Sequence, residues 1–388
     1  MTVNLAMPRF LTVGAGALTT AGGALIKLGV CRPLIVTDKY LVSSGATSKL
    51  EKVLIDAGCA VAVFSDTVPD PTTSSLIPAV EAVRQHGADC VIGFGGGSPM
   101  DTAKAIAVLG QVDEPMRRFK APSTYAGPAL PIVAIPTTSG SGSEATQFTV
   151  ITDDDSDEKM LCSGLSFLPS VAIVDYQLST TMPPRLTADT GVDALTHAIE
   201  AYVSRKANWL SDSLALGAIA AIGKYLRRAY RDGNDAEARE GMMFAATQAG
   251  IAFSNSSVCL VHGMSRPIGG HFRVAHGLSN AMLLPAVAEY SAHGAEARYA
   301  ACARAYGVAH DTDEDAGATR KLIGELRQLC SDVEVPTPED YGIDRAKWER
   351  LLPVMAEQAL ASGSPANNPV VPTAAEIVEL YEAMYARA

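Results

Sequence analysis

The strand-to-helix junction at residues 89–104, Asp89-Cys-Val-Ile-Gly-Phe-Gly-Gly-Gly-Ser-Pro-Met-Asp-Thr-Ala-Lys, most constrains the fold. A short apolar run ends at Phe94, three glycines follow, and Ser98 and Pro99 suit the cap and first turn of a helix. Gly95, Gly96 and Gly97 carry no Cβ, so backbone N–H groups can approach a ligand closely. The positive end of the following helix then favours an anion, and a pyrophosphate fits best. A glycine-rich turn with ordinary capping is the competing explanation.

The neighbouring pattern places this junction in a parallel sheet covered by helices. Strand Arg32–Asp38, helix 43–58, strand Cys59–Phe64, helix 73–87 and strand Asp89–Phe94 alternate, and strands Leu130–Ile135 and Ser170–Asp175 follow. Asp38 ends its strand with an acid, which in nucleotide-binding folds accepts hydrogen bonds from ribose hydroxyls and repels a 2'-phosphate. Asp also ends many strands simply for turn chemistry. In the ordinary dinucleotide unit the acid follows the glycine-rich turn, whereas here Asp38 precedes Gly95, so the ordinary topology does not apply. Val13-Gly-Ala-Gly16 resembles the start of that fingerprint, but Thr19 stands where its third glycine belongs, and the segment reads as a loop entering a helix. Pro136-Thr-Thr-Ser-Gly-Ser-Gly-Ser-Glu144 offers further small hydroxyl and glycine residues that can approach a cofactor.

Pro183-Pro184 marks a boundary, giving domains 1–184 and 185–388. From Leu186 onward only helices are expected, including Asp212–Arg231, Ala236–Phe253, Leu278–Tyr290 with a kink at Pro285, and one capped by Thr373. The first of them carries Asp193 and His197, whose i,i+4 spacing sets both side chains on one face about 5–6 Å apart. His262 and His276 flank Gly269-Gly270, so one could end a helix while the other returns on the following loop. Three imidazoles and a carboxylate form an N3O set that suits Fe(II), Zn(II), Ni(II) or Co(II). A single histidine is more often a capped or surface residue, so the pattern alone leaves that explanation open.

With 388 residues, 48% of them hydrophobic, the chain can fill two cores. A net charge of -11 with no basic cluster argues against nucleic-acid or anionic-membrane partners. The acidic run Asp153–Glu158 reads as a solvated loop. Seven cysteines without a Cys-x-x-Cys pair suggest free thiols in a reducing compartment. No basic segment followed by an apolar core opens the chain, so a soluble cytoplasmic protein is expected. Cys259, three residues before His262, reads as a small buried helix residue rather than a zinc ligand.

Taken in order, Gly95-Gly-Gly-Ser-Pro-Met-Asp-Thr-Ala-Lys, Pro136-Thr-Thr-Ser-Gly-Ser-Gly-Ser-Glu, Thr190-Gly-Val-Asp-Ala-Leu-Thr-His-Ala-Ile-Glu-Ala-Tyr and Ala275-His-Gly-Leu-Ser-Asn-Ala resemble the iron-containing (group III) alcohol dehydrogenase family. The likeness spans nearly the whole chain. It implies an α/β N-terminal dinucleotide-binding domain plus an all-α C-terminal domain, the fold shared with dehydroquinate synthase, with metal and substrate held in a cleft. It further implies Asp193, His197, His262 and His276 as metal ligands, with Fe(II) first and Zn(II) or Ni(II) as alternatives. On the same resemblance Gly95, Gly96, Gly97, Ser98 and Asp101 form the pyrophosphate loop. Thr137, Thr138 and Ser141 form a second cofactor loop, Lys159 is a cofactor-side lysine, and Asp38 selects NAD over NADP. A homodimer or larger homo-oligomer is implied as well.

The expected reaction is reversible hydride transfer between NAD(H) and a small alcohol or aldehyde, the metal stabilising negative charge on the substrate oxygen. Two other activities use the same residues: an NAD- and metal-dependent lyase or cyclase of the dehydroquinate-synthase type, and a non-catalytic NAD-binding protein. Two departures from the family pattern stand out. Arg266 replaces a histidine associated with proton handling, and Asp70-Pro71 replaces Asn-Pro. A guanidinium cannot act as a base at neutral pH but can grip an anion, so Arg266 is a candidate anchor for an anionic substrate or an outward-facing arginine, and His271 becomes the nearest histidine for proton transfer.

Overall fold

The computed structural model describes residues 2–386, which divide into two compact units, one of residues 4–181 and one of residues 182–386 with residues 2–3. In the first unit eight strands form, β1 Phe10–Val13, β2 Pro33–Val36, β3 Ala62–Phe64, β4 Cys90–Gly95, β5 Ile132–Pro136, β6 Phe148–Asp153, β7 Glu158–Ser163 and β8 Val171–Val174. Helices α1 Ala21–Leu28, α2 Lys39–Ser43, α3 Ala46–Asp56, α4 Thr73–His86 and α5 Gly97–Leu109 alternate with them. Six strands make one sheet in the order β1-β8-β5-β4-β2-β3, parallel throughout.

Strands β2, β4, β5 and β8 are buried at every position, as parallel strands between two helix layers must be. Leu34, Val36, Val91 and Ile132 pack with Leu76 and Ala103 on one face, while Ile35, Ile92, Val133 and Val171 pack with Leu25, Leu50 and Leu54 on the other. Each such side chain contributes about 1.5–3 kcal/mol by leaving water. Strand β2 pairs with β3 on one side and β4 on the other, so the chain reverses direction across the sheet between β2 and β4. Ligands of open α/β sheets bind beyond the C-terminal strand ends at such a reversal. Asp38 follows β2 and Gly95 ends β4.

Three local features differ from expectation. Strand β1 is an added edge strand whose alternating exposure hid it among loop residues. Residues 154–157 of the acidic run are the exposed turn of an antiparallel β6–β7 hairpin, as a solvated loop would be, but Asp153 is buried and accepts a hydrogen bond from Arg117 Nε (2.7 Å). Strand β3 starts at Ala62 rather than Cys59, because the Cys59 amide bonds Leu54 O (3.0 Å) and closes α3 through Gly58 in the left-handed region (φ 85°).

Among the described residues the second unit is helical throughout: α6 Pro184–Val203, α7 Trp209–Arg231, α8 Ala236–Ser254, α9 Leu260–Phe272, α10 His276–Ala292, α11 Glu296–Tyr306, α12 Asp315–Asp332, α13 Arg345–Ala361 and α14 Ala374–Met384. Helix α7 begins before Asp212 because Asn208 caps it, its side chain accepting from the Leu210 and Ser211 amides. Thr373 caps α14 with a reciprocal Glu376 contact, as its sequence suggested. Helix α10 starts at His276 and continues through Pro285. Gly269 and Gly270 lie inside α9, which ends instead at Arg273 in the left-handed region (φ 55°), so the break between the two histidines falls after the glycines, and each histidine lies at the start of a helix rather than at a helix end and on a loop. Buried Val261, Met264 and Ile268 dock α9 into the core and outweigh the poor helix propensity of two glycines. No helix among the described residues is long and apolar enough to cross a membrane.

Candidate metal centre and cofactor cradle

Asp193 and His197 project one turn apart from α6, His262 lies in the first turn of α9, and His276 is the first residue of α10. One ligand atom from each lies within 4.8 Å of all the others. Asp193 Oδ1 sits 3.6 Å from His262 Nε2 and 3.9 Å from both His197 Nε2 and His276 Nε2. The His197 ring stacks between Phe253 (4.3 Å) and His262 (4.5 Å), which fixes its plane. The side chains of Asp193 and His262 are 5% and 4% exposed but that of His276 is 41% exposed, so the centre opens on the His276 side.

Glu200, one turn beyond His197, positions the second helix of the centre. Its Oε2 accepts from the Cys259 amide (2.8 Å) and His262 Nδ1 (2.6 Å), and its Oε1 accepts from the Val261 amide (2.6 Å). It thereby satisfies donors at the start of α9 and sets the tautomer of His262, whose Nε2 lone pair turns toward Asp193. Among these side chains alone, burial disfavours a charged His262, but Glu200 and then Asp193 push its pKa up to about 9. Burial would raise Asp193, yet His197, His276 and His262 hold it well below the usual carboxylate range.

Asn280, one turn after His276, gives a direct test of whether the residues fit a cation. Its Nδ2 donates to Asp193 Oδ1 (2.6 Å) and lies 3.1 Å and 3.2 Å from Nε2 of His262 and His276. Its Oδ1 is buried without a partner. Acceptor atoms of three ligands thus converge on the point where the amide nitrogen sits, and the N3O donor set suits a borderline divalent metal. The sequence reading missed both Glu200 and Asn280. Their signal was the i+3 and i+4 spacing from recognised ligands, which places them on the same helix faces.

Arg266 and His271 lie outside this cluster. Arg266 is partly buried one turn beyond His262, and its desolvation lowers its pKa to about 10 although Glu200 acts in the other direction. His271 Nε2 is 2.9 Å from Gln358 Oε1, and its carbonyl accepts from Lys347 Nζ (2.9 Å). Cys259 is buried, its Sγ directed at the carbonyls of Glu200 (3.5 Å) and Asn367 (3.4 Å), away from the ligand set.

In the first unit the pairing Val36↔Gly93 brings the ends of β2 and β4 side by side, which explains how Asp38 and Gly95 meet despite their separation in sequence. Asp38 caps α2 by accepting from the Leu41 amide through Oδ1 (2.9 Å). Gly95 has φ 153°, and a Cβ there would lie 2.6 Å from Pro99 Cγ. Gly96 is the N-cap of α5 and supplies no side-chain cap, so the first amides of that helix have no side-chain acceptor there. The second loop lies against the first: the Thr137 amide donates to Gly95 O (2.9 Å), a Cβ on Gly96 would be 3.3 Å from Thr138 Cγ2, and one on Gly97 3.7 Å from Ser141 Cβ.

Asp101 faces inward, accepting from Ser143 Oγ and the Val150 amide (both 3.1 Å). Burial raises its pKa to about 6 against the pull of Lys104. Buried Lys104 donates to Thr146 O, Thr146 Oγ1 and Phe148 O, and burial lowers its pKa to about 8. Together they tie α5 to the second loop. Lys159 pairs with Asp70 (3.0 Å), whose amide donates to Ser98 Oγ (3.3 Å), so one polar chain joins the hairpin to the glycine loop.

Comparison with known proteins agrees with this construction. Residues 8–176 match the family profile described as iron-containing alcohol dehydrogenase, and residues 187–385 match the C-terminal region of the Fe-containing alcohol dehydrogenase family. An NAD-dependent methanol dehydrogenase of Bacillus methanolicus is 34% identical over 378 residues, covering 97% of this chain and 98% of the relative. A solved 1,3-propanediol oxidoreductase is 34% identical with a TM-score of 0.95, covering 99% of this chain and 100% of its own. A sulfoacetaldehyde reductase of Bifidobacterium kashiwanohense, solved in complex with NAD+, is 27% identical with a TM-score of 0.88 over 100% of both chains.

Proposed function

The chain belongs to the iron-containing alcohol dehydrogenase family, and from that premise we propose how its residues divide the work. It is an NAD- and metal-dependent oxidoreductase that passes a hydride reversibly between the cofactor and a small alcohol or aldehyde. Family membership decides against the lyase and the non-catalytic alternatives.

The observation that carries the assignment of the centre is the convergence of Asp193, His197, His262 and His276 within 4.8 Å. A divalent cation there, iron by family and zinc or nickel by donor type, supplies Lewis acidity that lowers the cost of negative charge on a substrate oxygen. Glu200 keeps His262 in the ligating tautomer, and Asn280 holds Asp193 in place. The amides at the start of α5 take the pyrophosphate. Asp38, with Oδ2 still uncommitted, accepts from ribose hydroxyls and repels a 2'-phosphate. Residues 1–184 are assigned as the NAD-binding domain and 185–388 as the metal- and substrate-binding domain. Proton exchange goes to solvent water, with His271 the alternative carrier. A fall in kcat of about tenfold or more in His271→Ala would select the histidine.

Seven free thiols among the described residues support a reducing, cytoplasmic setting. A homo-oligomer is part of the same proposal and is read by light scattering. The relatives are named for methanol, 1,3-propanediol and sulfoacetaldehyde, so the substrate panel must span neutral and anionic molecules. Metal-reconstituted protein is expected to oxidise NADH with at least one small aldehyde and to stop on chelation. Failure with the whole panel, in protein shown to hold metal and bind NADH, would sink the reading.

A further inference from the structure

Arg266 carries a positive charge that the surrounding protein does not balance. Helix α9 is continuous from Leu260 to Phe272, so Arg266 leaves the same face as the ligand His262, about 5–6 Å further along. Its neighbours Met264, Ser265 and Pro267 are buried, and Arg266 is itself partly buried. Among the described residues its guanidinium makes no hydrogen bond or ion pair. Glu200 acts on it at a distance, but both Glu200 oxygens are already taken by Cys259, Val261 and His262.

Arg239 shows what a satisfied buried arginine looks like in this protein. It is 1% exposed and donates to Gly233 O (3.0 Å), Thr187 Oγ1 (2.9 Å) and Met182 O (3.0 Å). The Arg266 guanidinium, partly buried and without such protein acceptors, is left to water, which an anionic ligand can replace, and its planar fork matches a carboxylate or sulfonate.

Building on the dehydrogenase reading, we propose that Arg266 binds an anionic group at the far end of a short-chain substrate, so that the substrate is a carboxylated or sulfonated aldehyde and its corresponding alcohol. The reacting carbon is placed at the metal centre beside His262, and the anion one helical turn away.

The test compares succinic semialdehyde, its sulfonate counterpart 3-sulfopropanal, and butyraldehyde in the metal-loaded protein with saturating NADH. The unaltered protein is expected to favour at least one anionic aldehyde over butyraldehyde by about tenfold or more in kcat/KM, and the better of the two distinguishes carboxylate from sulfonate. Arg266→Ala should lower that preference on the order of 30-fold, and Arg266→Lys should restore part of it. A second measurement does not depend on turnover. Butyrate or propanesulfonate should raise the melting temperature of the NADH-loaded protein, butyramide should not, and the anion effect should vanish in Arg266→Ala. Equal losses on charged and neutral aldehydes, a preference for butyraldehyde in the unaltered protein, or a loss that appears in KM for NADH would overturn the proposal. Absence of turnover with all three aldehydes would instead count against the dehydrogenase reading, and the melting shift would still decide the role of Arg266.

Discussion

In the cofactor cradle the groups offered to a ligand are backbone amides at the start of α5, exposed because Gly95, Gly96 and Gly97 lack side chains. In the metal centre they are side chains from α6, α9 and α10, aimed by further side chains, Glu200 and Asn280. One region works by leaving atoms out and the other by putting lone pairs in. Substitutions should therefore damage the cradle through shape and the centre through chemistry, and each injury should leave the other region's ligand bound.

The largest separation is expected from His262→Ala. Loss of a ligand should release the metal and lower kcat by roughly 10³-fold or more, since negative charge on the substrate oxygen loses its counter-charge. NADH affinity, read by fluorescence titration, should stay within about threefold. An equal collapse of NADH binding would break the comparison.

Glu200→Gln sharpens it, because the substitution keeps volume and removes only the charge that orients His262. Metal affinity should fall about 30-fold, in the range seen when a partner behind a ligating histidine is lost. Substitution of Co(II) should give an altered visible spectrum. An unchanged affinity and spectrum would reduce Glu200 to a cap on α9. Gly95→Ala makes the matching change in the cradle. At φ 153° a side chain is strained by about 1–3 kcal/mol, and its Cβ would meet Pro99 at 2.6 Å. NADH should bind about tenfold more weakly while metal content stays intact, and a parallel loss of metal would show that the injury spreads. The smallest effect is expected from Asp38→Gly, which should narrow the ratio of kcat/KM for NAD over NADP by a few-fold. Preference for NADP in the unaltered protein would remove the assignment altogether.

Features settled within one or two turns of chain were legible in the sequence. The glycine loop after β4, the spacing of Asp193 and His197, and the Thr373 cap all act on near neighbours. What depended on distant packing was not. Helical spacing puts Glu200 and Asn280 on the ligand faces, but it does not reveal that Glu200 will receive the start of α9 or that Asn280 will reach across to Asp193. The two glycines of α9 looked like a helix break because their intrinsic cost is local and the burial that overrides it comes from the rest of the helical core. Strand β1 was missed because an edge strand buries too little to leave an apolar run. The replacement of histidine by Arg266 was visible, but whether an acid balanced it could be read only after folding.

The most direct test of the account is an anaerobic titration of Fe(II) into chelator-treated protein, with bound metal from elemental analysis and NADH formation followed on the same samples. Turnover should rise linearly and level off at about one metal per chain, and Asp193→Ala, His197→Ala and His276→Ala should each abolish that plateau without preventing NADH binding. Full activity in protein shown to contain no metal, or an unchanged plateau in any of these variants, would contradict the assignment of the centre.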